Sequence, residues 1–539
     1  MAVARTRCVA ILGVTGHVIE VEADISNGLP GMHLIGLLDT ALNEARDRVR
    51  SAVINSRYGW PDSRITVSLF PASLPKRGSQ FDLAIAVSLM GAAGAVPIER
   101  VAEPFFLGEL GLDGRLRPVR GILPAVAAAV EAGARRVVVP AANAAEAALV
   151  PGVTVIPARD LRELVEWLRH GDLDRPPTWG AEPAGPGAAA PAGPGGSGVP
   201  EGAAGSVGPA RPAGPDEGGP LPDLRDVAGQ PMARKALEVC AAGGHNLWML
   251  GPPGTGKTML AERLPTLLPP LPLDHALEVT AIHSIAGALP AGRPLLTRAP
   301  FVSPHHTATV AAVVGGGSSA PRPGAVSLAH RGVLFMDEAP EFATTVLDSL
   351  RQPLESGTVT VSRAAGTVTF PARFMLVLAA NPCPCAQASE PASACRCTPT
   401  ARRRYMARLS GPLLDRIDVK VTVARSSRRE LLADRRFAEP SEVVAERVLL
   451  ARERAAKRLS ATPWRANSEL PTGALHGDLR PPPAAMKPLT ACLDSGSLSA
   501  RGLDRVLRVA WTLTDLSGKD HPEVTETSAA LAMWLGAGL

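Results

Sequence analysis

The stretch Gly-Pro-Pro-Gly-Thr-Gly-Lys-Thr at positions 251–258 has the residue types and spacing that bind the phosphates of a nucleotide. Glycines let consecutive backbone N–H groups turn inward around phosphates, and the N-terminus of a following helix adds partial positive charge. Lys257 would reach the β- and γ-phosphates, and the Thr258 hydroxyl would be a ligand of Mg²⁺. The predicted phosphate-binding residues are Gly251, Pro252, Pro253, Gly254, Thr255, Gly256, Lys257 and Thr258.

Two carboxylates and an amide follow later apolar runs. Asp337 and Glu338 come directly after residues 333–336, which are typical of a buried parallel strand. Asp337 would hold Mg²⁺ through water, and Glu338 would orient and deprotonate an attacking water. Asn381 ends the next apolar run and would position the same water. A solvated loop for the two acids, and a turn-forming Asn before Pro382, are the structural alternatives.

Four of the seven cysteines fall in one short segment as C-x-C, nine residues, C-x-C: Cys383, Cys385, Cys395 and Cys397. Four thiolates suit a closed, structural Zn²⁺ site. The C-x-x-C spacing is commoner in zinc sites, so metal-free reduced or reactive thiols remain the alternative. Cys8, Cys240 and Cys492 lie in apolar segments and are predicted to be core residues.

Composition narrows the class of protein. The chain has 539 residues, enough for two to four domains, and a net charge of +5, which permits an anionic partner without requiring one. The apolar run near the N-terminus is soon broken by His17 and Glu20, and no stretch approaches 18 apolar residues. The odd number of cysteines does not fit a secreted disulfide framework. We therefore predict a cytoplasmic protein.

The elements that would position these residues divide the chain into domains, with an α/β fold class overall. Residues 246–250 and 259–264 predict a strand and a helix on either side of the glycine-rich loop. Residues 1–172 alternate strand-like and helix-like segments, as in an α/β or α+β domain. The apolar spacing predicts strands at 18–23, 64–69 and 137–139 and helices at 39–53, 81–91 and 125–131. Residues 173–220, rich in Ala, Gly and Pro, predict a flexible linker. An α/β core at 221–425, with a cysteine-rich insert at 383–397, then precedes a helical region at 426–539.

These motifs together resemble the AAA+ ATPases, specifically the magnesium-chelatase-like ComM/YifB family, and the likeness covers almost the whole chain. It is carried by 251–258, 335–338, Asn-Pro-Cys-Pro-Cys at 381–385, Cys-Arg-Cys at 395–397, Ser-Gly-Pro-Leu-Leu-Asp-Arg-Ile-Asp at 410–418 and Leu-Ser-Ala-Arg at 498–501. The resemblance implies a P-loop AAA+ core with a helical lid, preceded by a Lon-protease-like (ribosomal S5 domain 2-like) α+β domain. It implies ATP and Mg²⁺ as cofactors.

The resemblance also implies roles for two arginines. Arg416 matches the arginine finger, which would reach the γ-phosphate bound by a neighbouring subunit and so require a ring, expected to be a hexamer. Arg501 matches the second sensor of the lid, with Arg505 one turn later as the alternative. On spacing alone, a solvated helix face would explain either arginine.

A predicted hairpin could contact DNA. Residues 357–369 alternate like two strands around a turn. Family members carry a pore-facing hairpin there, and Arg363 near its tip would contact a nucleic-acid backbone without reading sequence. An ordinary surface hairpin is the alternative. Residues 301–306 are a second candidate channel element, and the basic stretches 402–404 and 425–436 are solvated faces or further contacts.

The N-terminal domain lacks the pair of residues that a Ser–Lys peptidase needs. In the family alignment, Gln80 occupies the position of the nucleophilic serine and Leu123 that of the lysine. Ser79 is one place away, and Lys76 is not an obvious partner for it. We therefore expect no peptidase activity and a role in binding or assembly.

The motifs predict an ATPase, and the resemblance implies that it is a hexameric motor acting on single-stranded or branched DNA. The resemblance implies a helicase that promotes branch migration in recombination or natural transformation, with recombination proteins as further partners. The alternative is a protein-remodelling ATPase with the N-terminal domain as substrate adaptor. Metal insertion into a porphyrin is the weakest hypothesis, because the chain lacks the D-x-S-x-S string of the chelatase partner subunit.

Overall fold

The structure is a computed structural model that describes residues 3–36, 42, 44–76, 78–173, 177, 221–290, 292–317, 321–363, 366–385, 395, 397–425 and 438–536. Apart from residues 173 and 177, the predicted linker lies outside these residues. So do most of the basic stretch 425–436 and the middle of the cysteine-rich insert.

The N-terminal part is built on a mixed seven-stranded sheet. Its strands are β1 (Ala4–Leu12), β2 (Thr15–Ser26), β3 (Gly31–Ile35), β4 (Arg64–Phe70), β5 (Phe105–Phe106), β8 (Arg136–Pro140) and β9 (Thr154–Ala158), in the order β3-β4-β2-β1-β5-β8-β9. The β1–β2 and β2–β4 pairs are antiparallel and the other pairs are parallel. A separate two-stranded ribbon pairs β6 (Glu109–Leu110) with β7 (Leu116–Arg117).

Helices cover this sheet. They are α1 (Ala45–Asn55), α2 (Asp82–Ala92), α3 (Ile98–Ala102), α4 (Ile122–Glu131), α5 (Ala144–Ala147) and α6 (Leu161–His170). Helix α2 is buried along almost its whole length, because it packs on β1 and β2 on one side and on α1 on the other. At its first residue, the Asp82 carboxylate accepts a 2.8 Å hydrogen bond from Nε of Arg48 on α1. This ion pair lets a charged helix start inside the core.

The second part is built on a five-stranded parallel sheet. Its strands are β10 (Leu247–Leu250), β11 (Phe301–Val302), β14 (Val333–Met336), β17 (Met375–Ala380) and β18 (Val419–Thr422), in the order β11-β14-β17-β10-β18. In β14, Val333 and Phe335 face one apolar core while Leu334 and Met336 face another. The inner strands β10, β14 and β17 are continuous apolar runs, as expected where both faces of a sheet are buried, whereas the edge strand β18 alternates apolar and polar residues.

Helices and two hairpins surround this sheet. The helices are α7 (Pro231–Gly243), α8 (Lys257–Leu267), α9 (Leu273–Ala286), α10 (Val310–Val314), α11 (Ala325–Leu328), α12 (Thr344–Ser349), α13 (Arg351–Ser356), α14 (Pro399–Met406) and α15 (Gly411–Leu414). The hairpins pair β12 (Gly315–Gly316) with β13 (Arg322–Pro323) and β15 (Thr358–Arg363) with β16 (Gly366–Pro371).

The C-terminal part is helical. It contains α16 (Ser441–Arg458), α17 (Thr472–His476), α18 (Pro483–Asp494), α19 (Ala500–Ser517) and α20 (Val524–Leu535). Helices α16 and α19 pack on α7, so this part shares one apolar core with the five-stranded sheet. The region predicted to be helical contains these helices, whereas its role as a lid stays a prediction.

The N-terminal part packs directly on the second part. Helix α4 contacts α9, where the Ser284 hydroxyl accepts a 2.9 Å hydrogen bond from Gly121 N–H and donates to the buried Glu146 carboxylate. The β1–β2 turn reaches the β15–β16 hairpin, and a Cβ added at Gly13 would lie 2.3 Å from Cγ1 of Val368. The two parts therefore meet through buried polar and apolar contacts.

Sequence periodicity predicted several elements of the N-terminal part. The strands at 18–23 and 64–69 and the helices at 81–91 and 125–131 correspond to β2, β4, α2 and α4. The helix predicted at 39–53 is described from Ala45, and most of the residues before it lie outside the described ones. Strand β1 was not predicted, although it lies near the middle of the sheet. Among the described residues, no helix is long and apolar enough to cross a membrane.

Candidate nucleotide site

The predicted phosphate loop connects β10 to α8. Gly254 and Gly256 adopt φ values of +75° and +86°. Residues with a Cβ rarely adopt this left-handed conformation, so glycine is favoured at both positions. Helix α8 begins at Lys257 and runs for 11 residues. The loop therefore has the backbone geometry and the helix N-terminus that bind phosphate.

Lys257 lies at the centre of the site. Its Nζ donates to the carbonyl oxygens of Gly251 (2.8 Å) and Pro252 (2.9 Å) and to Oδ1 of Asn381 (3.1 Å). Burial lowers the pKa of Lys257 from its usual value, and the charges of Asp337 and Glu338 partly oppose that shift. The structure thus joins the predicted loop lysine to the predicted Asn381, 124 residues later in the chain.

A hydroxyl and a carboxylate form the second half of the site. The Thr258 hydroxyl donates to Oδ2 of Asp337 at 2.7 Å, and Glu338 N–H donates to Oδ1 of Asp337 at 2.9 Å. Hydroxyl and carboxylate oxygens are the ligands that Mg²⁺ prefers. The residues present therefore fit the magnesium ion that accompanies a nucleoside triphosphate, with Thr258 and Asp337 as its protein-side partners.

Glu338 has an unusual backbone and an unexpected neighbour. Its φ is +50°, a left-handed conformation that is uncommon for a residue with a Cβ and that clusters at functional sites. Oε2 of Glu338 lies 3.4 Å from Nδ1 of His306, which follows the edge strand β11. Sequence reasoning had predicted His306 only as part of a channel element. No local pattern pointed to its contact with Glu338, because the two residues are 32 positions apart (338 − 306).

The two predicted arginines lie apart from this group. Arg416 is buried, and its guanidinium contacts the Glu355 carboxylate and the Pro412 carbonyl oxygen. Arg501 is exposed in the first turn of α19. Arg505, the alternative, is held by a 2.9 Å ion pair with the buried Asp418. Their roles as arginine finger and second sensor stay predictions.

The β15–β16 hairpin has two different faces. Its apolar face packs into the core and consists of Val359, Val361, Val368 and Phe370. Its exposed face carries hydroxyls, with Thr360 and Thr369 paired at 3.2 Å and Ser362 and Thr367 at 3.1 Å. Arg363 pairs with Gly366 in the backbone register, at the end of the hairpin nearest its turn. The predicted hairpin is therefore confirmed, and its exposed face is polar.

Ser79 and Lys76, the residues considered for a Ser–Lys pair, have different hydrogen-bond partners. The Ser79 hydroxyl donates to Glu109, while the buried Lys76 ammonium donates to the Pro71 carbonyl oxygen. Gln80 and Leu123 were predicted to occupy the positions of the peptidase's serine and lysine. The Gln80 side chain donates to the Val9 carbonyl oxygen at 3.3 Å, and the Leu123 N–H donates to Glu146.

The four clustered cysteines converge. Their sulfur atoms all lie within 4.8 Å of one another, a grouping that could hold a metal ion. Cys8 and Cys240 are buried, as predicted. Cys492 is only half-buried against the core.

Three family models match the chain. "Subunit ChlI of Mg-chelatase" covers residues 21–143, "Magnesium chelatase, subunit ChlI" covers 223–431, and "Magnesium chelatase, subunit ChlI C-terminal" covers 438–533. The second model contains the whole nucleotide site described above.

Full-length relatives are similar over nearly the whole chain. An uncharacterized protein of Mycobacterium tuberculosis is 49% identical over 99% of this chain and 98% of its own length. YifB of Escherichia coli, also uncharacterized, is 39% identical over 96% and 94%. The competence protein ComM of Haemophilus influenzae is 38% identical over 97% and 96%. A more distant and partial similarity, 27% over 32% of this chain, is to the Lon protease of Trichlorobacter lovleyi, of which it covers 22%.

Proposed function

Because the chain belongs to the ComM/YifB family of magnesium-chelatase-like AAA+ proteins, we propose that it is an ATP-hydrolysing motor that acts on DNA. In this proposal it works as a hexameric ring and drives branch migration of recombining strands, in recombination or in natural transformation. The observation that carries the ATPase part is the convergence of Lys257, Thr258, Asp337, Glu338 and Asn381 at the carboxyl ends of β10, β14 and β17.

Each of these residues has a task in phosphoryl transfer to water. Lys257 and the loop N–H groups bind the β- and γ-phosphates. Thr258 and Asp337 would hold Mg²⁺, which would supply positive charge to the phosphoryl group. Glu338 accepts a proton from the attacking water, and Asn381 orients that water while its Oδ1 steadies the Lys257 ammonium.

A ring would complete the site through Arg416. Its guanidinium contacts Glu355 within its own chain, and Glu355 itself is exposed. In a ring, Arg416 would exchange this carboxylate for the γ-phosphate held by the neighbouring subunit. A guanidinium supplied in this way stabilises the charge that develops in the transition state.

The hairpin supports a nucleic-acid substrate. Arginine, serine and threonine side chains are common donors to phosphate oxygens, and the exposed face of β15–β16 carries hydroxyls. Arg363 is the last residue of β15, at the end of the hairpin nearest its turn. Contacts to phosphate are independent of sequence, which suits a motor that moves along a strand. The Haemophilus relative is named a competence protein, which agrees with DNA as the proposed substrate.

A protein substrate is the second candidate, and one observation favours it. The N-terminal part exposes Leu29, Ile35 and Phe70, with 88%, 53% and 63% of their surface accessible. Such apolar side chains could bind an unfolded segment. The exposed face of the hairpin carries hydroxyls rather than aromatic rings, which argues for DNA.

The proposal is tested with a labelled synthetic four-way junction and the full-length protein. We expect ATP-dependent conversion of the junction into forked duplexes, and no conversion by Glu338→Gln. Arg363→Ala should slow conversion while binding ATP normally. The matched control is Arg115→Ala, which removes a highly exposed arginine of the N-terminal part, paired at 3.6 Å with Asp113.

Two results would redirect the proposal. Active ATP hydrolysis with neither junction conversion nor DNA binding would favour the protein-remodelling candidate. Equal junction conversion by Arg363→Ala and Arg115→Ala would remove the hairpin from the DNA path.

A further inference from the structure

We propose that Cys383, Cys385, Cys395 and Cys397 bind one Zn²⁺ ion, and that this zinc site fixes the position of Asn381 beside the nucleotide. No part of the proposed function requires a metal here. The zinc site is therefore an independent proposal, and only its effect on Asn381 depends on the ATPase.

The distances between the thiols favour a metal over a disulfide. The sulfur of Cys383 lies 3.2 Å from that of Cys385 and 3.4 Å from that of Cys395, and Cys385 lies 3.5 Å from Cys395. A disulfide would bring two sulfurs to about 2.05 Å. Four sulfurs at about 2.3 Å from a tetrahedral zinc lie about 3.8 Å from one another. The observed spacing is much closer to the second value.

The surroundings suit a tetrathiolate. Four thiolates around Zn²⁺ carry a net negative charge, and the Arg402 guanidinium donates to the Cys395 sulfur at 3.2 Å. Hydrogen bonds of this kind orient metal ligands and balance their charge. Four sulfur ligands leave no open position on the metal, so the site is structural rather than catalytic. Soft sulfur ligands in a tetrahedron select zinc over Mg²⁺ or Ca²⁺.

The site lies between two elements that reach the nucleotide. On one side, Cys383 follows Asn381 with only Pro382 between them. On the other side, Cys397 lies two residues before α14. Beyond the end of α14, Arg408 donates at 2.9 Å to the carbonyl oxygen of Pro340, in the turn that follows Glu338. Zinc would therefore join the end of β17 to α14 and hold both ends of the hydrolytic site.

Metal analysis of the full-length protein, purified without chelator, is the first test. We expect one zinc per chain and a zinc X-ray absorption spectrum that fits four sulfur ligands at about 2.3 Å. Cobalt exchanged into the protein should give the visible absorption and thiolate charge-transfer bands of a tetrahedral sulfur site. Cys383→Ser and Cys395→Ser should lose the zinc, whereas Cys492→Ser, the matched control outside the cluster, should retain it.

The effect on Asn381 is tested by comparing zinc-free and zinc-bound protein. We expect kcat for ATP hydrolysis to be at least tenfold lower in the zinc-free protein than in the zinc-bound protein. This difference corresponds to a rise of about 1.4 kcal/mol or more in the activation free energy. Binding of a fluorescent ATP analogue should change less than threefold. Equal losses of kcat and binding would contradict the positioning role. Two results would overturn the zinc site itself, even if the serine variants fail to fold. One is substoichiometric zinc together with no tetrahedral cobalt spectrum. The other is mass spectrometry that shows disulfides between these cysteines.

Discussion

Replacing Asn381 by alanine removes the amide oxygen that accepts from the Lys257 ammonium at 3.1 Å. Both side chains are buried, with 8% and 7% of their surface accessible, so bulk water cannot readily replace that oxygen. Lys257 keeps two other acceptors, the carbonyl oxygens of Gly251 and Pro252. We therefore expect Asn381→Ala to fold and to bind ATP while its chemistry slows.

The size of the effect follows from the kind of hydrogen bond. A bond to a charged group contributes about 1.5–3 kcal/mol. Since about 1.4 kcal/mol corresponds to a tenfold change in rate, kcat should fall about 10- to 150-fold. Binding should weaken less than threefold, because the loop N–H groups and the helix N-terminus remain.

Steady-state phosphate release gives kcat, and a fluorescent ATP analogue gives the dissociation constant. Lys257→Ala serves as the comparison, because it should lose binding as well as turnover. The reasoning would be refuted if Asn381→Ala kept its kcat, or if it lost binding in parallel with Lys257→Ala. In the second case Asn381 would support the loop rather than the reacting water.

Three further predictions concern other contacts. His306→Ala removes the imidazole whose Nδ1 lies 3.4 Å from Oε2 of Glu338. Since exposed pairs of this kind contribute at most about 1 kcal/mol, we expect the basal ATPase rate without DNA to rise up to about fivefold. An unchanged or lower rate would contradict a restraining role for His306. Glu146→Leu leaves a buried N–H and the Ser284 hydroxyl without their acceptor and should cost about 1–3 kcal/mol by chemical unfolding, whereas Glu146→Gln keeps an acceptor oxygen and should cost less. Burial raises the pKa of Asp82 to about 6, with Arg48 opposing that shift, so the folded state binds a proton at Asp82 more tightly than the unfolded chain does. The stability that this proton contributes to the folded state is fully present below about pH 4 and is lost as pH rises through about 6. Calorimetry should therefore find that stability declines less steeply with pH in Asp82→Asn than in the unchanged protein. Identical pH profiles would count against the raised pKa of Asp82.

The local sequence predicted the parts of the site that each lie within a single short segment of the chain. The phosphate loop, the strand before Asp337 and the strand before Asn381 each carry their own apolar pattern and end residue. Parallel strands bring their carboxyl ends to one edge of a sheet, so the meeting of Lys257 with Asn381 was also predictable.

The remaining features depend on tertiary packing. Nothing near His306 in the sequence signals Glu338, and nothing near Arg416 or Arg505 signals Glu355 or Asp418. Strand β1 has no clear apolar pattern at its start, because Arg5 and Arg7 alternate with the buried Ala4 and Thr6. The contact of Gly13 with the hairpin needed both domains folded and packed together.

The central claim is that ATP hydrolysis is coupled to DNA. Its most direct test is the ATPase rate of the full-length protein alone, with single-stranded DNA and with a four-way junction. We predict several-fold stimulation by DNA that Arg363→Ala loses while its affinity for ATP stays intact. An ATPase rate that no DNA changes, together with no ATP-dependent DNA binding, would contradict the claim.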